Sequence, residues 1–467
     1  MTVTAVEAAA QDTTAPQNYS KTYRFWLLAV LLFVNALNLA DRQGMAITAP
    51  AIKHDLQLSD TQLGLLMGLG FAIFFSLLAL PIARLAERSH RARIIAISVG
   101  VLGVMLGFCS VARNFWQFLL CRVGVGAGDA GFGPPVASLL GDHYPSSKRA
   151  SANSIIWLGA PVGAILGSVA GGWIAQHMGW RVWFAALAVP SLVIGLLAFF
   201  TLREPPRGMA DGVVHEGPPP SMTKVIGFLW SKKSMRQILL GAGFAAIGLN
   251  GLGQFFARYF ASNFHMGLAQ AGAIMGLMAG ISMASGLALG GFGVDWAAKR
   301  DRRWFVWGPA IALVLAAPIF FVGIAQANLV AALLILMAGH VALFVYWTPT
   351  IALAQNMVGA NMRASSAFVG NLVLGLVGIG LGPTLAGIFS DLFAQQAFAP
   401  GDFATLCKGG AAAASASSSL VQACADASAA GVRHSIMALS LFFGIGGICY
   451  FLAARDVRKD LDTVYAA

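Results

Sequence analysis

The sequence predicts an all-α membrane protein, with twelve transmembrane helices in two pseudo-symmetric six-helix bundles. Three observations carry that reading. Of the 467 residues, 58% are hydrophobic and only 10% charged, where an ordinary soluble domain is about a quarter charged. The mean hydropathy is +0.74, and the apolar residues come in blocks of about 20, enough for a helix to cross a bilayer. Finally, Lys and Arg segregate between alternate loops.

In chain order, the polar stretch 1–22 reads as a short tail rather than a signal peptide, because it lacks an apolar core followed by a small-residue cleavage site. Spans are expected at roughly 23–51, 61–83, 94–112, 115–141, 150–176 and 181–202. The polar, proline-rich stretch 203–235 reads as a cytoplasmic linker. Six more spans follow at 236–262, 268–294, 304–325, 329–355, 364–390 and 433–454, and 456–467 forms a second tail. The first bundle thus occupies 23–202 and the second 236–455, the latter including a long outer loop at 391–432. With these spans, 22 of the 30 Lys and Arg fall on the side of both termini, five fall on the other side, and three lie inside spans. By the positive-inside rule both termini are cytoplasmic, as expected of a multi-pass protein of the plasma (inner) membrane. The same sorting accounts for the net charge of +11 as a topology signal near anionic headgroups, with no need of nucleic acid.

The halves echo each other. "RASA" at 149–152 recurs as "RASS" at 363–366, each ahead of a Gly/Pro-rich helix. "ARLAERSHRAR" has its counterpart in "GFGVDWAAKRDRR". Such duplication points to a secondary transporter with its substrate site between the halves. These features resemble the major facilitator superfamily. "ARLAERSHRAR" is similar to the signature between helices two and three, with Ala83 in place of the usual Gly and Glu87 in place of the usual Asp. "RVGVGAGD" at 122–129 is similar to the fourth-helix signature, and "GAPVGAILGSVAGG" to the glycine-rich fifth helix. Within the superfamily, "LNLADR" (37–42), "RVGVGAGDA" (122–130), "PVGAILGSVAG" (161–171), "LREPPRG" (202–208) and "GLGP" (380–383) resemble the Spinster lipid transporters. The anion:cation symporters share a similar first-helix Asp-Arg pair.

A charge inside a membrane costs ~3 kcal/mol or more and needs a reason. Of 19 acids only Asp41 and Asp129 fall well inside spans, accompanied by Arg42, Arg122 and, less deeply, Arg258; His340 is the histidine placed deep. For "NLADRQG" at 38–44 two readings are open. Either the first helix ends at Ala40 and the pair is wet, or the uncharged run 44–52 continues the helix and the pair is buried. Successive residues point about 100° apart, so Asp41 and Arg42 each look to another helix. Arg122 and Asp129, seven apart, share a face. Arg42 with Asp129, and Asp41 with a water or a substrate amine, form one consistent arrangement; a fixed structural ion pair is the alternative. The Spinster resemblance implies proton-coupling acids at both places, although that family usually carries Glu where this chain has Asp129. Asp41, Arg42, Asp129 and Arg122 are therefore the proton-coupling candidates.

For substrate contact the candidates are Arg42, Asn250, Tyr259, His340, Trp347 and Asn371, each with a packing role as the alternative. His340 and Trp347, seven apart, are expected to share a face, and the resemblance supports Trp347 as a cavity residue. Glu87, Arg88, Arg91, Asp295 and Arg300 at cytoplasmic helix ends are candidates for a latch between the halves. Cys407 and Cys424 in the outer loop are a disulfide candidate, and the four-residue spacing of Gly163, Gly167 and Gly171 predicts close helix packing. There is no HExxH, GxSxG or Cys/His cluster, so no enzyme, cofactor or metal is expected. The expected function is proton-coupled transport of an amphiphilic lipid, a lysophospholipid or sphingoid-like molecule, by a monomer whose partners are that substrate, protons and membrane lipid. The alternative is an organic-anion symporter or exporter of the anion:cation symporter type.

Overall fold

A computed structural model describes residues 19–144, 152, 155–205, 222–264, 266–357, 374–413 and 416–460. The first half comprises α1 (Lys21–Asp55), α2 (Asp60–Met67 continued by Leu69–Arg88), α3 (Arg91–Val111), α4 (Phe115–Ala130 and Gly133–His143), α5 (Gly159–His177 with a π-helical turn at Leu166–Ala170) and α6 (Trp180–Thr201). The second comprises α7 (Lys233–Asn263), α8 (Leu268–Ala298 with a π turn at Leu289–Gly293), α9 (Trp304–Ile324), α10 (Leu329–Phe344 and Trp347–Asn356), α11 (a π turn at Leu374–Leu381, then Gly382–Ala397) and α12 (Ser418–Ala453). The repeat-related helices α5 and α11 thus both widen into a π turn, a local feature often tied to functional sites.

Among the described residues, eleven helical segments are long and apolar enough to cross a membrane. The remaining expected span, α4, is broken at Gly131–Phe132, just past Asp129. Pro134 and Pro135 open its second piece, where a missing N–H costs least. A Cβ on Gly131 would lie 1.8 Å from Ser98 Oγ, so only glycine lets the break press against α3. The linker also differs from a purely polar connector: Met222–Ser231 is a helix whose Val225 and Leu229 are buried in the second half's core. The outer loop is shorter than expected because α11 runs on to Ala397 and α12 begins at Ser418. The repeated motifs at 149–152 and 363–366 lie largely outside the described residues.

α1 does not stop at Ala40. Ser20 caps it by accepting from the Tyr23 N–H at 3.1 Å, and it continues through Asp41 and Arg42 to Asp55, a length of roughly 52 Å at 1.5 Å per residue. Its position is set by α5. A Cβ on Gly159 would come within 2.4 Å of the Leu32 carbonyl oxygen, on Gly163 within 2.1 Å of that of Ala36, and on Gly167 within 2.4 Å of that of Ala40. The expected stripe of Gly163, Gly167 and Gly171, the last with its Cβ position 3.3 Å from Gly44 Cα, thus extends back to Gly159 and lets the two backbones touch.

With twelve crossings, both termini lie at one end of the bundle, here the terminal end; the opposite end is distal. At the distal end the halves are packed backbone to backbone. Cβ atoms on Gly64 and Gly68 of α2 would meet the carbonyl oxygens of Pro383 and Gly380 at 2.3 and 2.5 Å, and on Gly387 of α11 that of Asp60 at 2.1 Å. A Cβ on Gly272 of α8 would meet the Ser168 carbonyl oxygen at 2.1 Å. A loop of the second half lies over this seal. Cys407 and Cys424 are joined by a disulfide and form a small apolar cluster with Phe398, Phe403 and Ala427. Gly409 and Gly410, at φ of 66° and 83°, turn the loop onto the end of α1: a Cβ on Gly409 would sit 3.1 Å from the Lys53 carbonyl oxygen.

The stripe on α5 yields a direct test. Gly163→Ala is expected to cost roughly 1–3 kcal/mol, the cost of overpacking. Gly253→Ala, where a Cβ meets nothing within 4 Å, serves as the comparison. Thermal melts of the purified variants check this; equal melting temperatures would count against the packing role.

Candidate functional site

The first half has two separate apolar clusters. One gathers Leu27, Leu31, Val34, Ile95 and Leu139 toward the terminal end; the other gathers Met45, Leu66, Phe118, Trp183 and Phe184 toward the distal end. Between them lies a layer of buried charge. Asp41 and Arg122 are almost wholly buried. Arg122 Nη1 donates to both carboxylate oxygens of Asp41, at 3.0 and 2.9 Å. Arg42, one residue on, turns the other way and pairs with Asp129. The seven-residue spacing on α4 thus meets the adjacent pair on α1 in two ion pairs. Asp41 consequently faces Arg122 rather than a water or a substrate amine.

Phe71 of α2 is a plate beneath both cations, its ring centroid 4.8 Å from the Arg42 guanidinium and 5.6 Å from that of Arg122. The geometry favours the delocalised Arg head over a compact Lys. A cavity of about 40 Å³ adjoins the pairs, lined by Arg42, Met67, Phe71 and Arg122 from the first half and by Asn250, Gln254 and Ile379 from the second. Asn250 donates to the Ala246 carbonyl at 2.9 Å. Among the described residues, Arg42 Nε, Arg122 Nε and Gln254 Oε1, on three of the residues around this cavity, are buried without a hydrogen-bond partner.

The other substrate candidates lie elsewhere. Tyr259 is buried in the second half, its hydroxyl donating to the Ile324 carbonyl at 3.2 Å. His340 is enclosed by Phe256, Phe320 and Phe344, with ring centroids at 5.4, 5.9 and 6.2 Å. Trp347 packs beside that same core, just past a short irregularity of α10 between Phe344 and Trp347. Asn371 lies outside the described residues.

The latch candidates likewise divide. Arg91 is buried within the first half: its Nε donates to Glu204 at 2.6 Å, its Nη1 to Ser138 Oγ at 2.9 Å, and it pairs with Asp142. It therefore staples α3 to α4 and to the exit of α6. Arg300 stacks over Trp296 at 4.7 Å, and Asp295 sits past the π turn of α8. The side chains of Glu87 and Arg88 lie outside the described set. Among the described residues, charged contacts between the halves are found at the distal end. Asp391 of α11 accepts from the backbone N–H of Asp60 at 2.9 Å, from that of Thr61 at 2.7 Å, and from the Thr61 hydroxyl at 2.7 Å. It thus caps the start of α2 from the opposite half. Asp60 itself takes Ser390 Oγ at 2.6 Å, Lys53 Nζ at 2.5 Å, and Arg258.

Two ion pairs between α1 and α4 and a cavity shared by two six-helix halves form the setting for the comparisons with known proteins. Residues 31–383 match the sequence pattern of the Major Facilitator Superfamily. The chain belongs to the Major Facilitator Superfamily. Members of this superfamily are membrane transporters, and this chain is one. It is similar to an MFS-type efflux pump of Mycolicibacterium smegmatis, at 26% identity covering 97% of this chain and 98% of that protein. It is also similar to a hexuronate transporter of Bacillus subtilis, at 27% identity covering 78% and 88%. Among solved structures it resembles a bacterial homologue of the human lysosomal transporter Spinster in an inward-facing, unoccupied conformation. That match has a TM-score of 0.84 at 30% identity and covers 95% of this chain and 99% of that one.

In this superfamily member Gln254 is uncharged, and of the distal cluster only Arg258 stands inside an expected span. Lys53, Asp60 and Asp391 fall at or beyond the ends of the expected spans, where wet side chains are the ordinary expectation. One local signal was present: "SDTQ" at 59–62 forms a capping box, with Ser59 and Gln62 bonding each other's backbone. Asp60 is thereby fixed on the first turn.

The Asp41–Arg122 pair can be probed by its reciprocity. Arg122→Met strands a buried carboxylate and is expected to cost about 3–5 kcal/mol. The double variant Asp41→Asn/Arg122→Met should recover most of that. Melts of the three variants decide it; additive losses would show that the two groups do not depend on each other.

Proposed function

We propose that the chain is a proton-coupled secondary transporter that moves an amphiphilic lipid, a lysophospholipid or sphingoid-like molecule, by alternating access. In this reading it lies in the plasma (inner) membrane with both termini in the cytoplasm. The observation that carries the reading is the crossing of the two ion pairs beside the inter-half cavity. A proton on Asp129 removes the charge that holds Arg42, and a proton on Asp41 releases Arg122. Each freed guanidinium is then available to an anionic headgroup in the cavity, and Met45, Met67, Phe71 and Ile379 on its wall suit an alkyl chain next to that head. The two carboxylates and the anionic headgroup compete for the same two cations, so protonation favours substrate binding, which is the physical content of coupling.

The distal seal is then the closed outer gate of an inward-facing state. Asp391 stabilises that state by capping α2 across the interface, and outward opening has to leave the Asp60 and Thr61 N–H groups without it. A second reading, transport of a small organic anion, is favoured by the likeness to a hexuronate transporter and by the two guanidinium groups. A lipid substrate asks for a mostly apolar cavity charged at one end; an organic anion asks for several basic groups around it.

For purified protein in vesicles with an imposed pH difference, Asp41→Asn and Asp129→Asn are each expected to abolish uphill substrate accumulation without loss of folding. Accumulation that persists in Asp41→Asn would make its charge structural. Thermal stabilisation by lysolipids and sphingoid lipids, against organic anions, separates the two substrate readings. For the gate, spin labels at Arg113 and Gln396 report the distal distance. Losing a helix cap costs ~1 kcal/mol, so Asp391→Ala should enrich the wide-distance population about fivefold; an unchanged distribution would exclude Asp391 as a gate residue.

A further inference from the structure

On the outer face of the second half, at the terminal end, α8 and α9 part to leave a groove of about 330 Å³. Its form follows from the backbone. The π turn Leu289–Gly293 adds a residue to one turn of α8. Gly293 leaves open space, since a Cβ there would meet nothing within 4 Å. At the floor a Cβ on Gly308 would lie 2.7 Å from Val294 Cγ2, so glycine lets α9 close beneath the groove. The walls face away from the protein: Leu289 and Trp296 are 55% and 61% exposed. In a membrane transporter such a surface meets lipid, so it is a groove open to the bilayer.

The chemistry at its mouth is specific. Trp296 and Trp304 flank it, and tryptophans of this kind sit at the level of headgroups. Arg300 lines the same groove, its guanidinium 4.7 Å over the Trp296 ring. Among the described residues no acid pairs with it. The adjacent carboxylate, Asp301, is engaged by Arg458 at 2.8 Å and by the Arg303 backbone N–H at 2.9 Å. Together these hold its carboxyl below the usual range. Lys299, Arg302 and Arg303 add positive charge on either side. The result is an apolar channel ending at an unneutralised, pre-oriented guanidinium within a basic run.

We propose that this groove is a binding site for an anionic phospholipid of the surrounding bilayer, with an acyl chain along the π turn and the phosphate against Arg300. Charge complementarity selects the occupant. A zwitterionic lipid would fill the apolar channel equally well, but only a net negative headgroup answers a cation whose neighbouring acid is already taken. The site is on the lipid-facing surface and independent of the central cavity, so it stands whatever the transported substrate is.

The test uses full-length purified protein titrated with phosphatidylglycerol or phosphatidylcholine, with bound lipid counted by native mass spectrometry. Phosphatidylglycerol should occupy the tightest site at least fivefold better than phosphatidylcholine. Arg300→Gln should erase that preference, an about fivefold loss for one arginine near a headgroup, leaving phosphatidylcholine unaffected. Gly293→Leu, which fills the channel but keeps the arginine, should displace both lipids. Arg455→Gln, an exposed arginine elsewhere at the same end, should change neither, and melts without added lipid verify folding. The proposal is overturned if the two lipids bind alike, or if Arg300→Gln has no effect. It is equally overturned if Arg455→Gln lowers phosphatidylglycerol binding as much, which would mean diffuse attraction. A dimer that dissociates in Gly293→Leu would show a second copy in the groove and likewise end it.

Discussion

Two carboxylates and two guanidiniums share one membrane-buried layer, and the first half is arranged around keeping them there. Neither pair forms within a helix. Asp41 and Arg42 diverge because neighbouring residues on a helix must, and α4 meets both because its own charges are two turns apart. Removing such ions from water is expensive, and their mutual attraction offsets that only in good geometry. Good geometry here means α1 held against α5 by glycines that expose bare backbone, and Phe71 set under both cations. The apolar core of the first half is split in two by this layer.

The second half is different in kind. Its core is one continuous apolar cluster, and toward the cavity it presents amides, Asn250 and Gln254, rather than charges. Duplicated architecture has therefore been put to unequal use, with responsiveness to charge in one half and a neutral opposing wall in the other. What the halves share is the distal interface. There, contact depends on the absence of Cβ atoms at Gly64, Gly68, Gly272 and Gly387, and on a carboxylate from one half capping a helix of the other. Contacts of this sort are short-ranged: they are nearly complete when the backbones touch and gone after a small separation, which suits an interface with two discrete positions.

Architecture was readable in the sequence because it follows from hydropathy blocks and basic-residue sorting, both properties of long segments. The paired charges were readable because an ion inside an apolar run is conspicuous, and helical geometry alone forbade an Asp41–Arg42 pair. The partner of Asp41 was not, since choosing Arg122 over water requires the depth of α4 relative to α1. Helix irregularities were also hidden. Nothing in "HVALFVYWTP" announces the irregularity of α10 between Phe344 and Trp347. Lys53, Asp60 and Asp391 fall at or beyond the ends of the expected spans, where a charge is unremarkable until the other half closes over it.

The loop that carries Cys407, tied by its disulfide to Cys424 of α12, belongs to the second half yet rests on the tip of α1 in the first. Any motion that parts the halves must therefore either lift it or drag it. Cross-linked across its base and cornered by two left-handed glycines, it has little freedom to peel away residue by residue. It has to come off as a single rigid tile. Departure of such a tile is an all-or-none event, and it uncovers Lys53 and the charge cluster behind it at one stroke, so water reaches those buried ions suddenly rather than by gradual seepage.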